Sequence, residues 1–399
     1  MGADVRYAAT AMAALGYVIT ALGTCIVLLS DDFGVPPEQL AWLPATFGFG
    51  LLAMAPAGPV LLRDGPRRAL AGGSFAIAAG ATLLAFAWIP AMAVVGGLLL
   101  GAGGAAFALV TPAMLAGARA AVQLTKVNAA ASGASVLAPA AIGGLNATGV
   151  VNGRLALLLV VPPLLHLAAT ARPAAPEPRP QRIDRPAAGA AARRWGAVVL
   201  AVSVEFCFSI WAVTRLAAAG LTPGTAAVLG TMFPFGMALG RLAGPPLIGR
   251  IPVAQVAAAV TAAGALVVVV AGNAAAITVG LLVAGVGVAI LYPVTLAGLI
   301  ATPRLNATHA ASLGALASGT AIIAAPAALA RLAEVVDLRL AFLLTLPLLA
   351  ALLLLRYIDQ VRGDNRCPEM GKETESRGGQ RAVEGEEVVR SGPGFTTLE

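Results

Sequence analysis

The stretch AGPVLLRDGPRR, Ala57 to Arg68, sets four charged residues among its last six between flanks that are almost uncharged. Its opening Ala-Gly-Pro returns far downstream as AGPPLIGR, Ala243 to Arg250. A basic turn between apolar runs reads as the end of one membrane span and the start of another, because Lys and Arg are retained at one membrane face. That the same punctuation is written twice predicts a duplicated architecture.

Composition agrees with spans. Of 399 residues, 59% are hydrophobic and 11% charged, with a mean hydropathy of +0.87, whereas soluble domains carry about a quarter charged residues. About 20 apolar residues of helix cross about 30 Å of hydrocarbon. Cutting the chain at charges and Pro/Gly clusters gives twelve such helices, at 7–30, 41–62, 69–89, 93–116, 127–148, 151–171, 195–216, 224–248, 253–271, 275–299, 310–333 and 340–356. The first is too long for the apolar core of a signal peptide and is read as a retained helix. Continuous apolar runs exclude a membrane β-barrel, whose strands alternate. The fold class is therefore all-α and integral to the membrane.

Charge orients the spans. With the amino terminus inside, fourteen Lys and Arg before Arg356 fall on the inner side, and only Arg154, Arg215, Arg331 and Arg339 fall outside. This predicts a multi-pass protein of the plasma (inner) membrane with both termini cytoplasmic. The net charge of +7 lies between spans rather than along a polar face, so nucleic acid is not an expected partner. Cys25, Cys207 and Cys367 lack CxxC spacing and there are only two histidines, His166 and His309; neither a metal nor another cofactor is expected.

Shifted by 186, Pro37–Leu61 falls on Pro223–Leu247 with ten of 25 positions identical. Two of the matches are Phe pairs, Phe47/Phe233 and Phe49/Phe235, in a chain with only twelve Phe. A weaker echo relates the run ending at Pro112 to that ending at Pro293, and the same 186 offset pairs Ser132-Gly133 with Ser318-Gly319. Six spans return the chain to its starting side, so two such units run parallel, one of the recognised transporter plans. The division predicted is a six-helix bundle over 1–171, a cytoplasmic linker over 172–194, a second bundle over 195–356 and a polar, disordered tail over 357–399.

On these features residues 7–356 resemble the major facilitator superfamily. The Gly-x-x-x-Asp-Arg-x-Gly-Arg-Arg loop of that family is matched here by Gly58, Leu62 in the place of the Asp, Arg63, Gly65, Pro66 and Arg67, with Asp64 displaced by two. GRLAGPPLIGR resembles the family's helix 8, and SGASVLAPAAIGG a degenerate form of its helix 5 motif. The resemblance implies gating roles for Gly58, Arg63, Asp64, Gly65, Arg67, Gly244 and Arg250, and a central cavity lined by helices 1, 4, 7 and 10. Gly97 stands near the place where proton-coupled exporters of the family often carry Arg.

Ionisable groups inside spans are functional candidates by default. Glu205 lies about ten residues, roughly 15 Å, into helix 7, and is the candidate proton carrier. Arg241 lies at comparable depth on helix 8; it either pairs with Glu205 as a gate or packs its helix while its head snorkels inward. His166 is read as structural. Tyr17, Thr20 and Thr24 share one face of helix 1, Ser209 and Trp211 stand near Glu205, and helix 10 adds Tyr292 and Thr295. Any Thr or Ser among them has its own helical carbonyls as an alternative partner.

The reading is a monomeric secondary transporter, not an enzyme, that moves a small organic molecule by alternating access. Proton-coupled export comes first, with uptake or facilitated diffusion of a polar solute as the alternative. A non-transporting scaffold or receptor built on the polar tail is the alternative of another class.

Overall fold

A computed structural model describes residues 3–57, 65–115, 120–171, 188–243, 252–303, 305 and 307–364. Twelve helical spans follow in order: α1 (Ala3–Phe33), α2 (Pro37–Ala57), α3 (Pro66–Ala85), α4 (Pro90–Met114), α5 (Ala120–Ala147) and α6 (Gly153–Thr170) form the first half. The second comprises α7 (Ala188–Ala217), α8 (Pro223–Ala243), α9 (Val253–Val270), α10 (Ala274–Ile300), α11 (Ala307–Val336) and α12 (Leu338–Asp364). Eleven are long and apolar enough to cross a membrane. The exception, α5, has the length but carries Lys126, Asn128, Ser132 and Ser135.

Local chemistry sets several boundaries. Pro occupies the first turn of α3, α4 and α8, where its missing N–H would be unbonded anyway. Asn152, Thr222, Asn273 and Asp337 each accept a backbone N–H at the start of α6, α8, α10 and α12. Gly65 enters α3 at φ 92°, a conformation costly for any residue with a Cβ.

Two boundaries differ from expectation. Arg193 and Arg194, placed in the linker by charge, lie within α7, and α12 continues past Arg356 to Asp364. The cause is one carboxylate: Asp359 bonds Arg193 at 3.2 Å and Arg194 at 2.8 Å, which docks the polar extension of α12 on the start of α7.

The duplication is physical. Phe47 and Phe233 are buried at matching places, while Phe49 and Phe235 are exposed on the surface that a membrane would cover. Gly101 of α4 packs on the carbonyl of Phe47, and Gly285 of α10 on that of Phe233. Gly50 likewise meets Leu98 and Ala102, and Gly236 meets Leu282 and Val286. Such backbone approach leaves no room for a side chain. These glycines set the register of α2 on α4 and of α8 on α10.

The bundles meet along α2 with α11, α5 with α8 and α1 with α7. A Cβ on Gly143 of α5 would stand 2.6 Å from the carbonyl oxygen of Gly224 on α8, so only glycine allows that contact. Gly23 of α1 packs in the same way on the Ser209 and Ile210 carbonyls of α7. Beneath these seams Phe208 of α7 stacks on Phe233 of α8 at 5.4 Å and packs on Phe342 of α12.

Candidate functional site

Five helices of the two bundles place polar groups at one depth. On α7, Glu205 is largely buried, its side chain 16% exposed. Arg241 of α8 brings Nη2 to 3.9 Å from its Oε1, while Nη1 donates to Ser132 Oγ of α5 at 2.8 Å. Ser132 passes its own proton to the Asn128 carbonyl at 3.0 Å. Tyr292 of α10 lies close to Glu205, Arg241 and Ser318 of α11. Ser318 in turn donates to the Gly314 carbonyl.

The distances rank these contacts. Charge-assisted N–H···O bonds run to about 2.7–2.9 Å, so the bond from Arg241 to Ser132 is a full one and the approach to Glu205 is a loose ion pair. The stronger link of Arg241 therefore crosses between bundles, and the weaker one stays within its own. Glu205 accepts no hydrogen bond among the described residues, which leaves its carboxyl open to a proton or to a ligand.

The other candidates on α1 and α7 are buried among their neighbours. The Tyr17 hydroxyl donates to the Ala156 carbonyl of α6 at 2.8 Å, inside its own bundle, and the single Thr20 hydroxyl proton has the Gly16, Tyr17 and Ser135 carbonyls within reach, the last nearest at 2.9 Å. Thr24 is buried with an unpartnered hydroxyl. The face these three share is turned largely onto α5 and α6, because α1 packs against both. Ser209 is buried against Gly23. Trp211 is fully buried and donates Nε1–H to the Pro326 carbonyl of α11 at 3.1 Å, which fastens α7 to α11. Thr295 donates to Leu291 and Tyr292 carbonyls of its own helix.

Of the loop candidates, Gly58, Arg63, Asp64, Gly244 and Arg250 lie outside the described residues. Arg67 donates to Asp4 of α1 at 2.9 Å and stands 6.0 Å from the centre of the Tyr7 ring. Among the described residues no group of His, Cys, Asp and Glu could hold a metal ion.

Two partners escaped sequence reasoning. Ser132 and Ser318 had drawn notice only as a matched pair at the repeat offset, and that offset was the signal that could have found them. A second omission lies at the face remote from the termini. There Arg154 donates to Leu84 and Ala87 carbonyls at the end of α3 and meets Asp32 at 2.7 Å. Arg339 donates to Val269 and Val270, and Arg215 to Val268 and Ala271, at the end of α9. A cation over the carbonyl end of a helix meets the negative pole of its dipole. Arg154, Arg215 and Arg339 thus bond helix ends at this face.

These features define a multi-pass integral membrane protein of two parallel six-helix bundles with a charged island where they meet. Neither a protein-family model nor a curated relative matches the sequence. Solved structures do. The chain is similar to a bacterial homologue of the human lysosomal transporter Spinster, solved inward-facing and occupied, at 15% identity over 88% of this chain and 95% of that one, with a TM-score of 0.64. It is similar to the major facilitator superfamily transporter FucP in the outward conformation at 15% identity over 88% and 98%, with a TM-score of 0.59. A variant of that Escherichia coli fucose:proton symporter matches at 18% identity over 87% and 98%, with a TM-score of 0.56. The chain has the major facilitator fold.

Proposed function

We propose that this protein is a secondary transporter that moves a small organic molecule by alternating access, with protons coupled through Glu205 and export as its direction. One observation carries the reading: Arg241 is shared between a loosely held carboxylate in its own bundle, at 3.9 Å, and a hydroxyl of the opposite bundle, at 2.8 Å.

The chemistry follows from that sharing. With Glu205 charged, Arg241 is drawn to it and the bond to Ser132 competes with an ion pair. With Glu205 protonated, that attraction is gone and Arg241 commits to Ser132, which favours the arrangement in which α5 and α8 stay together. Proton occupancy at one carboxyl thereby biases which bundle arrangement is populated. Substrate is held near the midplane between the bundles, beside Glu205 and Tyr292, and the many apolar neighbours suit an amphipathic molecule. The excess of Lys and Arg on the terminal side supports cytoplasmic termini in the plasma membrane, and a single chain suffices as the transporting unit.

The test compares, without preselected compounds, small molecules inside and outside cells that lack the protein, overexpress it or carry Glu205→Gln. A compound shifted outward only by the intact protein supports export. The fold shared with a fucose:proton symporter favours a second reading, proton-linked uptake, which an inward shift would support. No shift in any cell would overturn transport itself.

A further inference from the structure

A second polar site lies apart from the island, where the terminal-side ends of α7, α10 and α12 meet. There a cavity of about 170 Å³ is lined by Arg193, Arg194, Arg356, Asp359, Thr295 and Gln360, with Ala197, Val294 and Leu355 as its apolar wall. That volume is several times the roughly 30 Å³ a water takes in the liquid. Three guanidinium groups face one carboxylate.

The acceptors around these arginines do not exhaust their donors. Arg194 gives three of its five protons to Asp359, the Gly298 carbonyl and Thr302. Arg193 reaches Asp359 through Nη2 at 3.2 Å, yet its Nε is buried with no acceptor. Arg356, half-buried, forms no hydrogen bond or ion pair among the described residues. A buried donor without an acceptor, beside an uncompensated charge, is costly unless something fills the site. Among the described residues Asp359 is the one carboxylate lining the cavity, and the group that fits the remaining donors is anionic and rich in acceptors. Arginine forks match phosphate oxygens, and basic pockets between membrane helices on the cytoplasmic side take lipid headgroups.

We propose that this cavity binds a phosphate group, with the headgroup of an anionic phospholipid as the source that its apolar wall fits. The phosphate takes Arg356 and the free Nε of Arg193. Its glycerol and upper acyl carbons lie against Val294 and Leu355. A bound lipid would brace the start of α7, the helix that carries Glu205.

The test uses the full chain, purified and delipidated, with native mass spectrometry against phosphatidylglycerol, phosphatidylcholine and inorganic phosphate in turn. The expected result is retention of phosphatidylglycerol over phosphatidylcholine, weakened roughly tenfold or more in Arg356→Gln, as losing a charge-assisted hydrogen bond implies. Arg331→Gln, which alters an exposed arginine elsewhere, leaves retention unchanged, and Arg356→Lys, which keeps the charge, restores part of it. Inorganic phosphate that binds alone and displaces phosphatidylglycerol supports the site with a soluble phosphate as its source. Phosphatidylglycerol retained equally by wild type and Arg356→Gln, or retained by neither, overturns the proposal. If Arg356→Gln fails to fold, the competition between phosphatidylglycerol and inorganic phosphate on the wild-type chain decides it: retention that phosphatidylcholine matches counts against the site.

Discussion

In the first bundle Arg154 closes the carbonyl end of α3 through Leu84 and Ala87; in the second Arg339 closes the end of α9 through Val269 and Val270. Each arginine stands two residues after its helix cap, Asn152 in one case and Asp337 in the other. At the centre the correspondence ends. By the repeat offset Glu205 answers to Ile19 and Arg241 to Ala55, and only Ser318 keeps its counterpart, Ser132. The rim of each bundle needs the same solution because both must end helices at a membrane face with their carbonyls bonded. The centre has no such constraint. Charge concentrated in one bundle is felt by the other only across the seam, and there Arg241 holds Ser132.

The comparison can be broken at several points. The largest effect is expected at the asymmetric centre: Glu205→Gln lowers proton-driven transport by about a hundredfold or more, the scale of losing a positioned proton-transfer group, while substrate exchange survives. Proteoliposomes with an imposed pH gradient measure both, and equal loss of exchange would make Glu205 a packing residue instead. Next come the rims. Arg154→Ala and Arg339→Ala each cost about 1–3 kcal/mol, from unpaired carbonyls and a lost charged hydrogen-bond donor, read as thermal unfolding in detergent. Destabilisation by only one of them would refute the equivalence of the two rims.

Gly50→Val and Gly236→Val test the matching registers of α2 on α4 and α8 on α10. Both drive a side chain into a neighbouring backbone and should lower stability by about 1–3 kcal/mol through overpacking, in step with each other. The smallest effect separates two serines that the repeat makes alike. Ser132→Ala removes the interbundle bond, worth about 1 kcal/mol, and shifts the pH dependence of transport; Ser318→Ala leaves Arg241 bonded and shifts it less. Equal shifts from the two would remove Arg241 from the coupling step.

Much of the architecture was legible in the residues. Long apolar runs, basic turns and the Phe47/Phe233 and Gly50/Gly236 matches led to twelve spans in two parallel halves, since span length and charge retention are properties of local sequence. Glu205 and Arg241 stood out for the same reason, as charges inside apolar runs, and the structure brings them to 3.9 Å. The partners of Tyr17, Thr20 and Trp211 were not legible, because helical spacing tells which residues share a face, not which neighbour that face meets. The end of α12 was hidden for a related reason: Asp359 holds its helix to α7 through residues that lie about 165 positions away.

Apolar length, the placement of Lys and Arg, and the internal repeat by themselves determined a duplicated helical membrane protein, because crossing a bilayer imposes local requirements on composition. Tertiary structure alone decided that Arg241 bridges the bundles, that Glu205 is left with a loose partner, that Arg154, Arg215 and Arg339 close helix ends, and that three arginines gather around one cavity. Each of these depends on distances between helices remote in sequence, and such distances are set by packing at the seams rather than by any property of a single span.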